Sequence, residues 1–311
     1  MYTFILNPKA GGGRAGKVRP EIERYMAAAG LDFDVVETKT PAQATSAARA
    51  AALSSSVVVS TGGDGSLHHV ASGVIEARLS GSDCVLGVLP VGTGNDFARM
   101  LGMPTGTEEA LQALTTAERV AADHGWAIWE ADGVAVRRPF INCAGIGMDA
   151  QAALLATKLK PYLRNASYVV APALSVLRWR APKARLSATS EAGRRAINWD
   201  GRLTMASVAN GKWVGGGIHI SPSAEIDDRA LDLCLIPKLS IAKAYWLLPK
   251  AVKGKHEGRP EVISIQASRI KVETEAPVPI YVDGEPGAAA VTSASFEVAA
   301  SELPMLRARV G

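Results

Sequence analysis

Val57-Val58-Val59-Ser60-Thr61-Gly62-Gly63-Asp64-Gly65-Ser66 is an apolar run broken by glycines around one acid, and an amphipathic segment follows from Leu67. Glycine loses more backbone freedom on ordering than any other residue, and in return it lets a backbone N–H approach a ligand closely. An apolar strand feeding a glycine turn and then a helix N-terminus is how α/β proteins hold phosphate. Free N–H groups and the helix dipole both face the anion. Asp64 does not suit a bare phosphate nest. A carboxylate beside phosphate needs a cation between them or a proton of its own, which points to metal-assisted phosphoryl chemistry. On this stretch alone, a tight strand-to-helix turn with an Asx contact is the other reading.

A second loop repeats the plan. Val85-Leu86-Gly87-Val88-Leu89 reads as another buried strand, and Pro90-Val91-Gly92-Thr93-Gly94-Asn95-Asp96-Phe97-Ala98-Arg99 again sets glycines, a hydroxyl and an acid ahead of a helix. Thr61 to Ser66 together with Leu89 to Arg99 strongly resembles the diacylglycerol kinase catalytic family, which includes bacterial lipid kinases, sphingosine kinases and ceramide kinases. The resemblance spans nearly the whole chain. It takes in Asn7-Pro8-Lys9-Ala10-Gly11-Gly12-Gly13, Asn142-Cys143-Ala144-Gly145-Ile146-Gly147, Asn210 to Pro222, and Val282-Asp283-Gly284-Glu285-Pro286. Each piece alone is weak, but the ordered set is specific.

Length and composition agree. At 311 residues, 48% hydrophobic and 21% charged, the chain is globular and two domains are the natural expectation. The net charge of +4 suits an anionic partner. Basic blocks interleaved with aromatics are missing, so nucleic acid is not expected. Cys84, Cys143 and Cys234 stand far apart in apolar runs and read as buried, reduced thiols. Met1 leads straight into Tyr2-Thr3-Phe4-Ile5-Leu6 without a charged leader, and the longest nearly apolar run, 166–177, is too short to span a bilayer. The expectation is a cytoplasmic protein, peripheral to a membrane at most, with a homodimer left open.

Tyr2 to Leu6 reads as a first strand, followed by a glycine loop with two decoys. Gly11, Gly13 and Gly16 satisfy the dinucleotide spacing without a clear ribose-binding acid after the next strand. Gly11 to Lys17 satisfies a P-loop spacing, but Val18 stands where Ser or Thr must ligate magnesium. Glu21 to Ala29 and Ala42 to Leu53 are helical by spacing, Leu31 to Val36 is a strand, and Thr107 to Thr116 is a further helix. Strands alternating with helices predict a doubly wound, mostly parallel α/β domain over 1–125, with ligands beyond the carboxyl ends of its strands. From Trp126 the texture becomes strand after strand, with helices near 149–160, 166–180 and 241–253. A β-rich domain is predicted over 126–302. The resemblance makes it an antiparallel β-sandwich on the lipid side of the site, with 303–311 returning to the first domain.

The resemblance also implies a site. ATP is expected over Asn7, Thr38, Thr61, Gly62, Gly63, Gly65, Ser66, Gly92, Thr93 and Asn95, with Arg14 or Lys17 near phosphate. Thr38 has an ordinary surface residue as its alternative, and Lys17 a solvated helix start. Magnesium is expected among Asp64, Asp96 and Asp123, whose bland alternatives are a turn contact, a helix N-cap and a strand end. Glu285 matches the proton acceptor for the lipid hydroxyl, with Asp64 second; read alone, Asp283-Gly284 before Glu285-Pro286 is simply a good turn. A structural magnesium is implied at Asp228 with the carbonyls of Glu225 and Ala230, where Arg229 replaces the usual glycine and would be strained at positive φ. Ser66 replaces a usual threonine. His68-His69, about 100° apart on a helix, read as one packed and one exposed residue rather than ligands. Residues 158–180 mix aromatic, apolar and basic side chains, which suits either an anionic membrane surface or a core helix with basic ends.

The expected function is ATP-dependent phosphorylation of a lipid hydroxyl, on a diacylglycerol, sphingoid base, ceramide or phosphatidylglycerol. NAD kinase, which shares a GGDG loop, is the rival enzyme. A non-catalytic nucleotide or lipid sensor is the rival of another class.

Overall fold

The computed structural model describes residues 1–163, 166–190 and 195–309. The chain divides into two compact units, Met1–Ala122 with Ser301–Gly311, and Asp123–Ala300. Asp123 therefore stands in the second unit, although the expected boundary leaves it with the first. Arg164 and Val310 lie outside the described residues.

In the first unit β1 (Tyr2–Leu6), α1 (Arg14–Ala28), β2 (Phe33–Glu37), α2 (Pro41–Ala52), β3 (Val57–Gly62), α3 (Asp64–Leu79), β4 (Val85–Pro90), α4 (Asp96–Met100), α5 (Thr107–Thr116) and β5 (Glu118–Ala122) follow in order, and the last strand of the chain, β15 (Leu303–Arg307), joins them. The sheet order is β2-β1-β3-β4-β15-β5. All neighbours run parallel except β5, which lies antiparallel to β15. Central β3 and β4 are buried at every residue, which is why they read as unbroken apolar runs, while edge strand β2 is half exposed. The alanine-rich face of α2 is a packing device: Ala44, Ala48 and Ala52 are buried, and a Cβ added to Gly73 of α3 would strike the Thr45 carbonyl. Helix α1 starts at Arg14, ahead of the expected Glu21. Pro20 is carried on the helix's exposed side while the buried stripe of Ala15, Val18, Ile22 and Met26 runs on through it.

The second unit contains β6 (Gly125–Ala131), β7 (Val134–Phe140), β8 (Cys143–Gly147), α6 (Met148–Leu163), α7 (Ser167–Arg178), β9 (Lys183–Thr189), β10 (Arg195–Ala209), β11 (Leu231–Pro237), α8 (Ile241–Val252), β12 (Ile263–Ala267), β13 (Arg269–Val282) and β14 (Glu285–Val298). Its strands form one antiparallel sheet, β12-β11-β10-β8-β13-β14-β6-β7, with β9 bridging β10 and β13. The two long strands each change partner. β10 pairs with β9 through Arg202 and with β8 from Met205, across an irregularity between Leu203 and Met205. β13 pairs with β9 through Thr274 and with β8 from Ile280, after register shifts. Such breaks let a strand turn a corner, so the sheet folds over one core in the manner of a sandwich. Phe140, Leu186, Leu203, Val208, Leu233, Ile270 and Phe296 belong to that core.

The three cysteines are buried and free, with burial pushing the Cys84 thiol up to about 11. Among the described residues no helix is long and apolar enough to cross a membrane.

Candidate active site

In the first unit the loops after β1, β3 and β4 meet backbone to backbone. A Cβ on Gly63 would stand 3.0 Å from the Gly92 Cα, and one on Gly92 would overlap the Gly63 backbone. Gly11, at φ 61°, has the Val91 carbonyl where a Cβ would go. Close approach thus demands glycine here. The Gly62 carbonyl accepts from the N–H groups of Val91 (2.8 Å) and Gly92 (3.1 Å). The Gly92 carbonyl accepts from Asn95 Nδ2 (3.1 Å) and Arg14 Nη2 (2.9 Å), and Arg14 Nε donates to the Gly11 carbonyl (3.1 Å). The Arg14 guanidinium is therefore a brace between loops, while Lys17 is exposed.

No side chain caps the N-terminus of α3, so its first N–H groups, around Gly65 and Ser66, remain for a ligand. Thr93 is exposed in the second loop. Thr61 is fully buried, and among the described residues neither its hydroxyl nor the buried Asn95 Oδ1 has a hydrogen-bond partner. Thr38 is not a surface residue: its N–H (2.8 Å) and hydroxyl (3.4 Å) both donate to the Leu6 carbonyl. Asn7 Oδ1 accepts from the Lys9 N–H at 3.0 Å, shaping the turn after β1.

Asp64 and Asp96 are brought together. Asp64 Oδ1 accepts the Phe97 N–H (3.3 Å), which sets its carboxylate at the start of α4. Burial raises the Asp64 carboxyl above its ordinary value, and the backbone N–H groups of Phe97, Asp96 and Asn95 oppose the rise. Asp96 is not the helix cap. Asn95 occupies that position in the left-handed region, and Asp96 follows as the first helical residue, 2% exposed, with Oδ1 3.6 Å from Arg99 Nη1. His68 is buried, as expected, but His69 is half-buried rather than exposed, and their rings stand edge to face 5.0 Å apart.

In the second unit Glu285 opens β14 directly after a two-residue turn. Asp283 (φ 49°) and Gly284 (φ 80°) both take positive φ, the geometry that Asp-Gly favours in tight hairpins. The Asp283 carboxylate accepts three backbone N–H groups, those of Ile141 (3.0 Å), Asn142 (2.9 Å) and Cys143 (3.0 Å). Its own N–H donates to the Cys143 carbonyl at 2.7 Å. The hairpin tip is thereby bolted to β8. Glu285 is half-buried, and its carboxylate enters no hydrogen bond or ion pair among the described residues.

Asp123 is 1% exposed and tied to the loop before β11. Its Oδ2 accepts the Arg229 N–H (2.6 Å), Oδ1 lies 3.8 Å from Arg229 Nη1, and its carbonyl accepts from Asn210 Nδ2 (2.9 Å). Arg229 does adopt positive φ, 63°. Both Asp228 oxygens are in use: Oδ1 accepts the Ala230 N–H (3.1 Å) and Oδ2 accepts Gln266 Nε2 (2.8 Å). The Glu225 carboxylate pairs with Lys212 at 3.0 Å. This loop is held by hydrogen bonds and side-chain cations, an arrangement that fits a structural metal poorly. Among the described residues no group of three or more His, Cys, Asp or Glu side chains gathers as a metal cage.

Three features escape the motif reading. Asp283 anchors the Glu285 hairpin, and the Asp-Gly pair is its only signal. Asn210, fully buried, donates to the carbonyls of both Asp123 and Ile141 (2.8 Å). Asp149, at the start of α6, accepts the Ser207 hydroxyl (2.6 Å), and burial pushes its carboxyl up to about 6. Gly145 leaves room for it, since a Cβ there would collide with Asp149 and the Tyr281 ring.

Two family models match the chain: the diacylglycerol kinase catalytic domain over residues 1–127, and the YegS C-terminal NAD kinase beta sandwich-like domain over residues 142–307. A diacylglycerol kinase of Mycobacterium tuberculosis (strain ATCC 25618 / H37Rv) is 30% identical across 99% of this chain and 96% of its own length. The chain belongs to the diacylglycerol kinase family. Another relative of that name, from Bacillus subtilis (strain 168), is 29% identical across 91% of this chain and 89% of its own. The crystal structure of a diacylglycerol kinase from Bacillus anthracis str. Sterne superimposes with a TM-score of 0.71 at 21% identity, covering 98% of this chain and 96% of that one, which is a likeness of fold.

Proposed function

We propose that the protein is a lipid kinase that transfers the γ-phosphate of ATP to a lipid hydroxyl, with diacylglycerol as the favoured acceptor. The meeting of Gly63 and Gly92 carries this reading. Two loops pressed so closely that a Cβ on Gly92 would overlap the Gly63 backbone, beside an uncapped helix N-terminus, suit a polyphosphate chain. The name shared by the two relatives favours diacylglycerol over the other lipids.

Magnesium fits the first unit. Asp64 and Asp96 supply hard oxygen ligands beside the phosphate-binding loops, and Mg2+ takes one or two carboxylates along with waters and substrate phosphates. When bound, it neutralises charge on the transferring phosphate. Gly62, Gly63, Gly65 and Ser66 hold phosphate through backbone N–H groups; Thr61, Thr93 and Asn95 contribute side-chain polarity. Asn7 and Thr38 fix the first loop. Glu285 is the base: a free, half-buried carboxylate on a clamped turn can take the hydroxyl proton without surrendering a structural bond. Asp64, already accepting an N–H, is the second choice, and Asp123 positions the second unit's loop.

The test is transfer of labelled γ-phosphate from ATP and magnesium into micelle-dispersed lipids, with NAD in the same panel, beside Asp64→Ala and Glu285→Ala. Labelled diacylglycerol that disappears in both variants supports the reading. Labelled NAD without labelled lipid replaces it with an NAD kinase. ATP binding without any transfer leaves a nucleotide sensor.

A further inference from the structure

Helix α8 is built inside out. Leu247 and Ala251 are its buried residues, and Leu247 packs with Met205, Ile220, Cys234, Ile236 and Val262. That inner side is satisfied. The outward side is also apolar: Ile241 is 54% exposed, Tyr245 38%, Trp246 46% and Val252 41%, with Pro249 exposed among them. At 100° per residue these five positions fall within one stripe, which a helix facing only water would fill with polar groups. The patch continues onto α7, where the Tyr245 hydroxyl donates to the Ala173 carbonyl (2.8 Å) and Leu177, one turn further, is 56% exposed.

Charge surrounds this stripe with one sign. From 238 to 259 the chain carries Lys238, Lys243, Lys250, Lys253, Lys255 and Arg259 against the single acid Glu257. Glu261 lies just beyond and pairs with Lys243 at 3.2 Å. Lys250 Nζ sits 3.5 Å above the Trp246 ring and Arg259 4.9 Å from it. Exposed indole and phenol rings within aliphatic neighbours and a basic rim match the headgroup layer of a negatively charged bilayer, where aromatic rings sit at the interface and each basic residue gains from the surface potential. A protein partner of ordinary composition does not require the one-sided charge.

We infer that the outward face of α8, centred on Tyr245 and Trp246, is the surface through which this protein docks on an anionic phospholipid bilayer. This rests on the lipid-kinase reading and adds to it the means by which a soluble enzyme meets a water-insoluble acceptor.

The test is co-sedimentation of the full chain with phosphatidylglycerol–phosphatidylcholine vesicles and with pure phosphatidylcholine vesicles, at low and high salt. The variants are Ile241→Ala/Trp246→Ala, and Lys250→Gln/Lys253→Gln/Lys255→Gln. Binding is expected to favour the anionic vesicles about tenfold and to weaken in salt. The apolar variant should lose about tenfold, and the charge variant should lose most of the salt dependence. Equal binding of both variants and wild type overturns the proposal. So does a solution dimer that Ile241→Asp dissociates, which would make the face a contact between copies. Sedimentation needs no turnover, and transfer to a short-chain, water-soluble diacylglycerol needs no vesicle. Vesicle binding without transfer therefore counts against the kinase reading alone, and transfer without vesicle binding against this surface alone.

Discussion

Replacing Asp283 by Asn should loosen the turn that presents Glu285 without changing the shape of the side chain. In the wild type one carboxylate accepts the N–H groups of Ile141, Asn142 and Cys143. An amide oxygen at Oδ1 still serves Asn142 and Cys143, with the charge gone. At Oδ2 an NH2 would face the Ile141 N–H, donor against donor. Hydrogen bonds to a charged group contribute about 1.5–3 kcal/mol each, and an orphaned buried N–H costs about 1–3 kcal/mol. Asn tolerates positive φ as Asp does, so the turn itself is neutral. The sum is a loss of about 2–4 kcal/mol in the second unit, roughly 5–15 °C in Tm for a unit of this size. Turnover should fall roughly 100-fold, the scale of an ångström of misplacement at a catalytic group, with KM for ATP unchanged. Glu285→Gln is the contrast, losing transfer at unchanged Tm because its carboxylate holds nothing. Calorimetry and initial rates on both variants separate the two. An Asp283→Asn protein that melts and turns over like wild type would refute the claim that this carboxylate holds the hairpin.

Gly92→Ala would push a methyl into the Gly63 backbone, so ATP affinity measured by calorimetry should drop at least about tenfold while the circular dichroism spectrum stays native. Because the Arg229 guanidinium accompanies buried Asp123, chelation should leave the Tm of the nucleotide-free wild type unchanged. Arg229→Gly relieves positive φ at about 1 kcal/mol but removes the cation, for a net loss of about 1–2 kcal/mol and a Tm that now responds to magnesium. A wild type that chelators destabilise would sink that argument. Asp149 is protonated more readily folded than unfolded, so between its ordinary value of 3.8 and about 6 stability falls as pH rises, and the full cost of about 3 kcal/mol stands above pH 6. In melts across pH 4 to 8, Asp149→Asn should gain on wild type as pH rises; a constant gap would show that Asp149 does not titrate in this range.

The first unit was legible because its physics is local. Unbroken apolar runs, glycines at the strand ends and alanine spacing on α2 each write one element, and a parallel sheet follows from their alternation. The loop glycines were readable too, since at Gly92 a Cβ would overlap the Gly63 backbone. What the sequence hid is long-range. Nothing near Asp64 says that it accepts the Phe97 N–H, and nothing near Arg14 says that it braces Gly11 and Gly92. In the second unit the partner switches of β10 and β13 leave no periodic signal, because one strand faces two environments along its length. α8 shows the limit of the period argument: its spacing marks a helix correctly but does not tell which apolar face is the buried one.

Arg229 shows why a departure from a family pattern has to be read with its contacts. A left-handed arginine is costly by itself, and taken alone it argues for a damaged loop. Its N–H and guanidinium, however, both reach Asp123, a buried carboxylate. The strained φ is what lets backbone and side chain of one residue approach one acid together. A glycine there would supply the N–H alone. On this reasoning the acids of the chain sort by what already holds them. Asp123 carries a cation, Asp228 two N–H donors, Asp64 the end of a helix, and Glu285 nothing. A proton acceptor must change its charge in every turnover. The carboxylate on which no structure depends is the one that can do so at least cost.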